Sequence, residues 1–153
     1  MNISRFATLS VAALLGTLHL AQASEPVVDD INWPGIDAYC TFSRAGQTFV
    51  FDNPETWKFV AFTSLADKSE GDQFRSLYAS VGGHLREFAL KDRSANDTGE
   101  VISFVAASDS TLTASLLLGK PRQGEEASGY SGTFEVAKGA DKAVVAITGN
   151  CGV

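Results

Sequence analysis

The sequence predicts a mainly β protein, either an antiparallel β-sandwich or a small β-barrel, with one short helix and one disulfide that closes it. Eight β-like runs follow one another, separated by turn residues roughly every ten positions, and this spacing is typical of all-β sandwiches and barrels. Strand and helix patterns do not alternate, which disfavours a doubly wound parallel sheet. Cys40 and Cys151 stand near the two ends of the predicted domain.

The first 23 residues have the pattern of a secretory signal peptide. Arg5 precedes an apolar run from Phe6 to Leu20, and Ala21-Gln22-Ala23 places small residues where a signal peptidase cleaves. The run falls short of the roughly 20 apolar residues that a membrane span needs. We therefore predict cleavage after Ala23 and a periplasmic or secreted product with no membrane span. An N-terminal tail or linker over 24–37 and a single β-rich domain over 38–153 would follow.

The composition limits the class of partner. The 153 residues are 44% hydrophobic and 20% charged, close to the average of globular proteins. The formal net charge is −6, and a phosphate backbone is bound by clustered Lys and Arg. The expected partner is therefore an envelope or extracellular protein or a small ligand rather than nucleic acid, while the oligomeric state stays open.

The two cysteines predict a disulfide. Two cysteines in an exported chain usually pair, and neither Cys40 nor Cys151 has a CxxC partner or a neighbouring histidine that would indicate a metal or catalytic role. Strand alternation places Cys151 on one face with Val145 and Ile147, and Cys40 on one face with Phe42. Both sulfurs are therefore expected to point into the core.

Three β-like runs open the domain, at 38–43, 47–52 and 57–63. Turn residues at Ala45-Gly46 and at Asn53-Pro54-Glu55 separate them. The third run is aromatic and β-branched, as in a buried strand. The second and third runs are expected to form a hairpin.

The period of the pattern then changes. Phe74, Leu77, Tyr78 and Val81 fall at i, i+3, i+4 and i+7, the spacing of one face of a helix. Gly82-Gly83 supplies a stop. The one short helix is therefore predicted at about Asp72 to Val81.

Strand character returns for the rest of the chain. Runs at 84–92 and 101–108 predict a hairpin, and runs at 111–119, 130–138 and 142–151 follow. The clearest alternation is in the run 111–119, with Leu112, Ala114, Leu116 and Leu118 on one side. The polar segment Lys120–Gly129 is the predicted mobile loop.

No set of residues points to catalysis, a metal or a cofactor. His84 is the only histidine after the signal peptide, and no GxSxG motif or free cysteine accompanies it. The spacing of Asp67, Glu70 and Asp72 does not match the EF-hand calcium loop. We therefore predict a non-enzymatic domain without a cofactor. A hydrolase whose carboxylates are brought together by the fold is the alternative from another class.

The predicted contact surface is the loop Lys120–Gly129 and its flanks. A rigid β-scaffold presents binding residues most readily on loops, and this loop carries both signs of charge. The candidate binding residues are Lys120, Arg122, Glu125, Glu126, Ser128, Tyr130 and Lys138. If the last two strands form a hairpin, Ser128 and Lys138 are expected to lie beside or across from this loop.

Two groups of residues at the two ends of the domain also carry a family resemblance. Tyr39-Cys40 is followed by Gly46, Phe49 and Phe51, and Ser128-Gly129-Tyr130 is followed by Lys138-Gly139 and Cys151. This pattern resembles the small periplasmic β-barrels that inhibit C-type lysozyme, although Tyr130 here follows Gly129 directly and Val136 replaces an aromatic residue. The resemblance implies that Ser128 and Lys138 enter the lysozyme cleft, which makes lysozyme inhibition an alternative function.

Overall fold

The computed structural model describes residues 25–32, 37–69, 71–124 and 126–152. The predicted signal peptide and its cleavage site lie outside the described residues, as do Glu70 and Glu125 of the sequence analysis. The described strands are β1 (Val28–Asp29), β2 (Ile31–Asn32), β3 (Ala38–Arg44), β4 (Lys58–Phe59), β5 (Ala61–Ser64), β6 (Ser76–Val81), β7 (His84–Ala95), β8 (Gly99–Ala106), β9 (Asp109–Gly119), β10 (Arg122–Gln123), β11 (Ala127–Lys138) and β12 (Asp141–Gly152). A 3-10 helix covers Pro54–Thr56, and the α-helix α1 covers Leu65–Ser69.

Eight of these strands form a closed antiparallel barrel. In chain order β3, β5, β6, β7, β8, β9, β11 and β12 each pair with the next, and β12 pairs back with β3. This is an up-and-down barrel, in which each of the eight strands has a neighbouring strand on both sides. The barrel alternative of the predicted fold class is confirmed, with one short helix and one disulfide.

The core fills the inside of the barrel. Leu112, Ala114, Leu116 and Leu118 of β9 are buried in alternation, as their sequence pattern predicts. Phenylalanines from four other strands are fully buried beside them: Phe42, Phe88, Phe104 and Phe134. An eight-stranded barrel is just wide enough for its interior to be filled by side chains, so the centre of the barrel is packed, and the pockets beside Tyr130 and Arg86 open at its two ends.

The predicted disulfide is confirmed and lies at the closing seam of the barrel. Cys40 of β3 is paired in register with Cys151 of β12, and their Cα atoms are 4.0 Å apart. Both side chains point inward and are buried. The bond joins residues 111 positions apart in the chain.

The N-terminal segment 25–32, here called the strap, is part of the wall. Because β5 has only four residues, it pairs with β6 no further than Ala79. β1 pairs with the remaining edge of β6, with Val28 opposite Val81. The Arg44 guanidinium of β3 donates to Asp30 Oδ1 at 2.8 Å and to the Val28 carbonyl at 2.7 Å. The strap therefore completes the wall between β6 and β3.

The predicted helix at Asp72–Val81 is wrong, because Ser76–Val81 is strand β6 and the helix lies earlier, at Leu65–Ser69. Leu77, Ala79 and Val81 alternate inward with a period of two, and β6 has partners on both edges. Asp72 accepts the Phe74 N–H at 3.0 Å in a local turn rather than capping a helix. Pairing within the barrel therefore outweighs the helical spacing of the apolar residues.

The predicted strand at 47–52 and its hairpin with 57–63 are also wrong. Residues 47–50 have no regular secondary structure, and the later run forms β4 and β5, interrupted at Val60. β3 already pairs with β5 and β12, so no strand edge is left for this segment. Phe49 instead stacks on Trp57 at 5.6 Å between ring centroids, and the Trp57 indole N–H donates to the Val50 carbonyl.

Candidate functional site

The two ends of the barrel differ in chemistry. We call one end the loop mouth, where residues 120–124 follow β9 and β11 begins, and the other the strap mouth, where residues 25–27 of the strap meet the end of β6. The loop mouth contains most of the segment that the sequence predicts as the binding loop.

A pocket of about 270 Å³ opens at the loop mouth. Its side chains include Arg93 and Glu100 from the β7–β8 hairpin, Lys120 and Pro121 from the connection after β9, and Tyr130 from β11. The pocket is therefore formed by three neighbouring parts of the barrel wall. Barrel mouths are common places for ligand sites.

Arg93 lies on the inner face of the wall at the rim, with its side chain 40% exposed, because β7 contains an irregularity in its register. Leu90 pairs with Phe104, but the register shifts between Leu90 and Asp92, so that Arg93 pairs with the fully buried Ile102. Directly opposed residues of an antiparallel pair share one face of the sheet. The bulge therefore turns Arg93, rather than Asp92, towards the interior.

Arg93 and Glu100 form an ion pair at the rim of the pocket. The two contacts to Glu100 Oε2 are 2.6 Å from an Arg93 Nη and 2.8 Å from Nε. The Glu100 side chain is only 12% exposed. Arg93 also lies 4.9 Å above the centroid of the Phe74 ring, which is fully buried. These contacts fix the guanidinium between a buried ring and a nearly buried carboxylate.

Tyr130 contributes a protonated hydroxyl. The residue is buried, and this burial raises the pKa of the Tyr130 phenol, with a further increase from the charge of Glu100 that Arg93 opposes. The phenol therefore stays protonated at neutral pH and is available as a hydrogen-bond donor. No hydrogen-bond partner of this hydroxyl is found among the residues that the structure describes.

The pocket has a local excess of positive charge. Arg93 and Glu100 compensate each other, whereas Lys120 is exposed and has no ion-pair partner in the described part of the chain. A single uncompensated ammonium group therefore stands at the rim. This contrasts with the formal net charge of −6 for the whole chain.

Several of the predicted binding residues lie at or near the loop mouth. Lys120 and Tyr130 line the pocket. Arg122 of β10 is paired with Gly129 of β11 and lies 3.5 Å from the Ser131 hydroxyl, and the Ser128 hydroxyl donates to Gln123 Oε1 at 3.3 Å. The segment is therefore partly ordered by a short antiparallel pairing.

Lys138 does not belong to this site. It is the last residue of β11, whereas Ser128 is near the start of the same strand, and ten residues of extended strand span about 33 Å. Lys138 instead pairs with Asp109 at 3.3 Å at the strap mouth. The prediction that Lys138 lies beside the loop is therefore wrong.

Arg93 and Glu100 line the pocket but are not among the binding residues predicted from the sequence. Regular alternation through β7 would have turned Arg93 outward, and a one-residue bulge leaves no clear mark in the pattern. His84 is exposed, as an isolated strand-end histidine would be. Within the described ranges, no three His, Cys, Asp or Glu side chains are grouped closely enough to hold a metal ion.

Comparisons of this chain with protein-family models, with curated proteins and with solved structures give no match. Among the residues placed by the structure, none of the helices has the length and apolar character needed to cross a membrane.

Proposed function

We propose that the protein is an exported, non-enzymatic binding module that holds a small ligand, or a small group of a partner protein, in the loop mouth. The observation that carries this proposal is the arrangement of two donors, the Tyr130 hydroxyl and the Lys120 ammonium, beside the Arg93–Glu100 ion pair; neither donor has a partner in the described part of the chain. Donors without protein partners at the opening of a packed barrel favour a ligand that accepts hydrogen bonds.

Two features support export as part of the proposal. The sequence at residues 1–23 has the signal-peptide pattern, and the Cys40–Cys151 disulfide fits an oxidising compartment. Mass spectrometry of the protein from its native source should find Ser24 as the first residue. An intact N-terminal segment would contradict this part of the proposal.

The hydrolase alternative receives less support from this site. Glycoside hydrolysis, for example, uses two carboxyl groups on either side of the scissile bond. Among the described residues that line this pocket, Glu100 is the one carboxylate, and it is held by Arg93. The arrangement is better suited to fixing a guanidinium than to transferring a proton.

Lysozyme inhibition is a special case of protein binding with a defined target. The resemblance implies that Ser128 and Lys138 enter one cleft, but these residues lie near opposite ends of β11. A muramidase assay with the purified protein tests this alternative directly. Strong inhibition that is lost in a Ser128→Ala variant would replace the proposal of a ligand pocket at the loop mouth.

The proposed site is tested by a ligand-observed NMR screen. The probes are N-acetylated amino acids, short carboxylic acids and mono- and disaccharides, measured against the wild-type protein and a Lys120→Met/Tyr130→Phe variant. A Lys142→Met/Tyr78→Phe variant is the matched control, because it makes the same two changes away from the pocket. We expect at least one probe to bind the wild type and the control at least tenfold more tightly than the site variant. Binding that is equal in all three proteins would overturn the proposal.

A further inference from the structure

A second pocket, of about 310 Å³, opens at the strap mouth. The strap forms one wall through residues 25–27, and Val81 and Leu112 supply apolar surface from the barrel. Arg86, Asp109 and Lys138 are its charged lining residues from the barrel strands. This pocket is separate from the loop mouth, because Arg86 and Arg93 lie towards opposite ends of β7.

The Arg86 side chain is in an unfavourable environment for a charged group. It pairs in register with Ala79 of β6, which is fully buried and faces the interior, so Arg86 lies on the inner face of the wall. Its Nε atom is buried and has no hydrogen-bond partner among the residues that the structure describes. A buried guanidinium N–H without an acceptor is destabilising, since it loses its hydration and gains nothing in return.

The other charged groups at the strap mouth do not neutralise Arg86. Asp109 Oδ2 lies 3.3 Å from the Lys138 ammonium, and Asp109 Oδ1 accepts from the backbone N–H and the hydroxyl of Thr111 at 3.0 and 2.6 Å. Glu25 lines the pocket but is exposed. Among the described residues, neither carboxylate forms an ion pair with Arg86.

We propose that the strap mouth binds a small amphiphilic carboxylic acid, with its carboxylate against Arg86 and its short apolar chain against Val81, Leu112 and the strap. A carboxylate would supply both the missing acceptor and the countercharge, because guanidinium–carboxylate pairs are among the stronger hydrogen-bonded contacts in proteins. A pocket of about 310 Å³ is at the lower end of the range for small-molecule sites, roughly 300–1,000 Å³. It therefore suits a chain of a few carbons.

The pocket favours a monoanion with an apolar tail over inorganic phosphate. The carboxylates of Asp109 and Glu25 balance the charges of Arg86 and Lys138 at the same opening, so the pocket has no excess positive charge with which to hold a dianion. The apolar walls add binding energy only for a ligand that has a hydrocarbon part. The proposal does not depend on the function assigned to the loop mouth.

The test is a titration of the mature protein with hexanoate, hexanol, hexylamine and inorganic phosphate, followed by amide chemical shifts. Hexanoate should move the resonances of Gly82 and Leu112 and bind at least tenfold more tightly than the other three probes. An Arg86→Gln variant should lose at least tenfold in hexanoate affinity. A Lys91→Gln variant, changed at an exposed position of the same strand, should keep it. Equal binding of hexanoate and hexanol, or unchanged binding in the Arg86→Gln variant, would overturn the proposal.

Thermal unfolding of two further variants tests whether Arg86 has only a structural role. Without ligand, an Arg86→Met variant should melt at the same temperature as the wild type or higher, because an unpaired guanidinium has been removed. Hexanoate should raise the melting temperature of the wild type but not of this variant. A Glu25→Gln variant should behave as the wild type does. If Arg86→Met and Glu25→Gln both lower the melting temperature, Glu25 is the partner of Arg86 and the proposal fails.

Discussion

Cys40 and Cys151 face each other in register at the junction where the first and last strands of the barrel meet, with their Cα atoms 4.0 Å apart. The other seven junctions of the barrel join strands that follow one another along its chain path. The disulfide is therefore located where strand pairing depends on residues that are far apart in sequence.

Removing the disulfide should lower the free energy of unfolding by about 4–5 kcal/mol, the chain-entropy value for a loop of this length. We expect a Cys40→Ala/Cys151→Ala variant to remain a barrel, because the surrounding core of phenylalanines is unchanged. Urea unfolding followed by circular dichroism measures the difference. Reduced wild type is the control and should match the variant. A loss below about 1 kcal/mol would show that the closed topology is stable without the bond.

A methyl group at Gly149 should disturb the same seam. A Cβ built at this position would lie 2.3 Å from the Phe42 ring and 2.7 Å from the Thr41 carbonyl oxygen. Because β3 and the buried ring must both move, we expect Gly149→Ala to cost about 1–3 kcal/mol, as overpacked cores do. Gly119→Ala is the matched control, since its nearest contact is the Ser131 carbonyl oxygen at 3.4 Å. Equal stabilities of the two variants would contradict this expectation.

The ion pair at the loop mouth should show coupling in a double-mutant cycle. Arg93→Met leaves a nearly buried Glu100 carboxylate without its partner, and Glu100→Gln leaves the guanidinium over the Phe74 ring without a countercharge. We expect the losses of stability in the two single variants to sum to more than the loss in the double variant. The difference, which is the coupling energy, should be about 1–2 kcal/mol. Chemical denaturation of the four proteins measures it. A coupling energy near zero would mean that the pair is fully screened by water.

The stability of the protein should depend on the charge of Asp109 at low pH. Hydrogen bonds from the Thr111 hydroxyl and N–H hold the pKa of the Asp109 carboxyl below its ordinary value, and Lys138 lowers it further. Because the folded pKa lies below the unfolded one, the ionised group stabilises the native state above about pH 4. This contribution is lost as the pH falls through the folded pKa.

An Asp109→Asn variant tests this charge, because the amide oxygen still accepts a hydrogen bond. It should be less stable than the wild type at pH 7, and the difference should shrink as the pH is lowered below about 4. Melting temperatures between pH 2 and 7 provide the measurement, with Asp97→Asn as an exposed control in another turn. A difference that is constant over this range would show that the charge is not responsible.

The C-terminal half of the barrel could be predicted from sequence because each strand carries its own alternation. Leu112 to Leu118 of β9 and Phe134 with Val136 of β11 are buried on one face of each strand, as the period of two requires. The choice between a sandwich and a barrel could not be made in this way. It depends on the pairing of β12 with β3, and alternation says which face of a strand is buried but not which strand lies beside it.

The errors in the N-terminal half have physical causes that lie outside the local sequence. Leu77 and Tyr78 fit a helix spacing, but Tyr78 is turned to the outer wall, where it stacks on Phe62 at 5.1 Å between ring centroids. Phe49 and Phe51 alternate as in a strand, but they contact Trp57 in a loop. Arg93 was missed because one extra residue in β7 reverses the direction of the side chains that follow it. In each case a partner distant in sequence, or a bulge, decides the outcome.

The pairing of β3 with β12 affects the order in which the barrel can form during and after synthesis. Synthesis proceeds from the N-terminus, so β3 emerges long before β12, which is its partner more than a hundred residues later. Until then the growing sheet has two open edges that can pair with other chains, and closure has to await the slowest, most non-local contact. Cys40 meets Cys151 in its native position only when the last strand has arrived. In the closed barrel the bond holds β3 against β12, so neither strand can offer its edge to another chain unless the disulfide is first reduced.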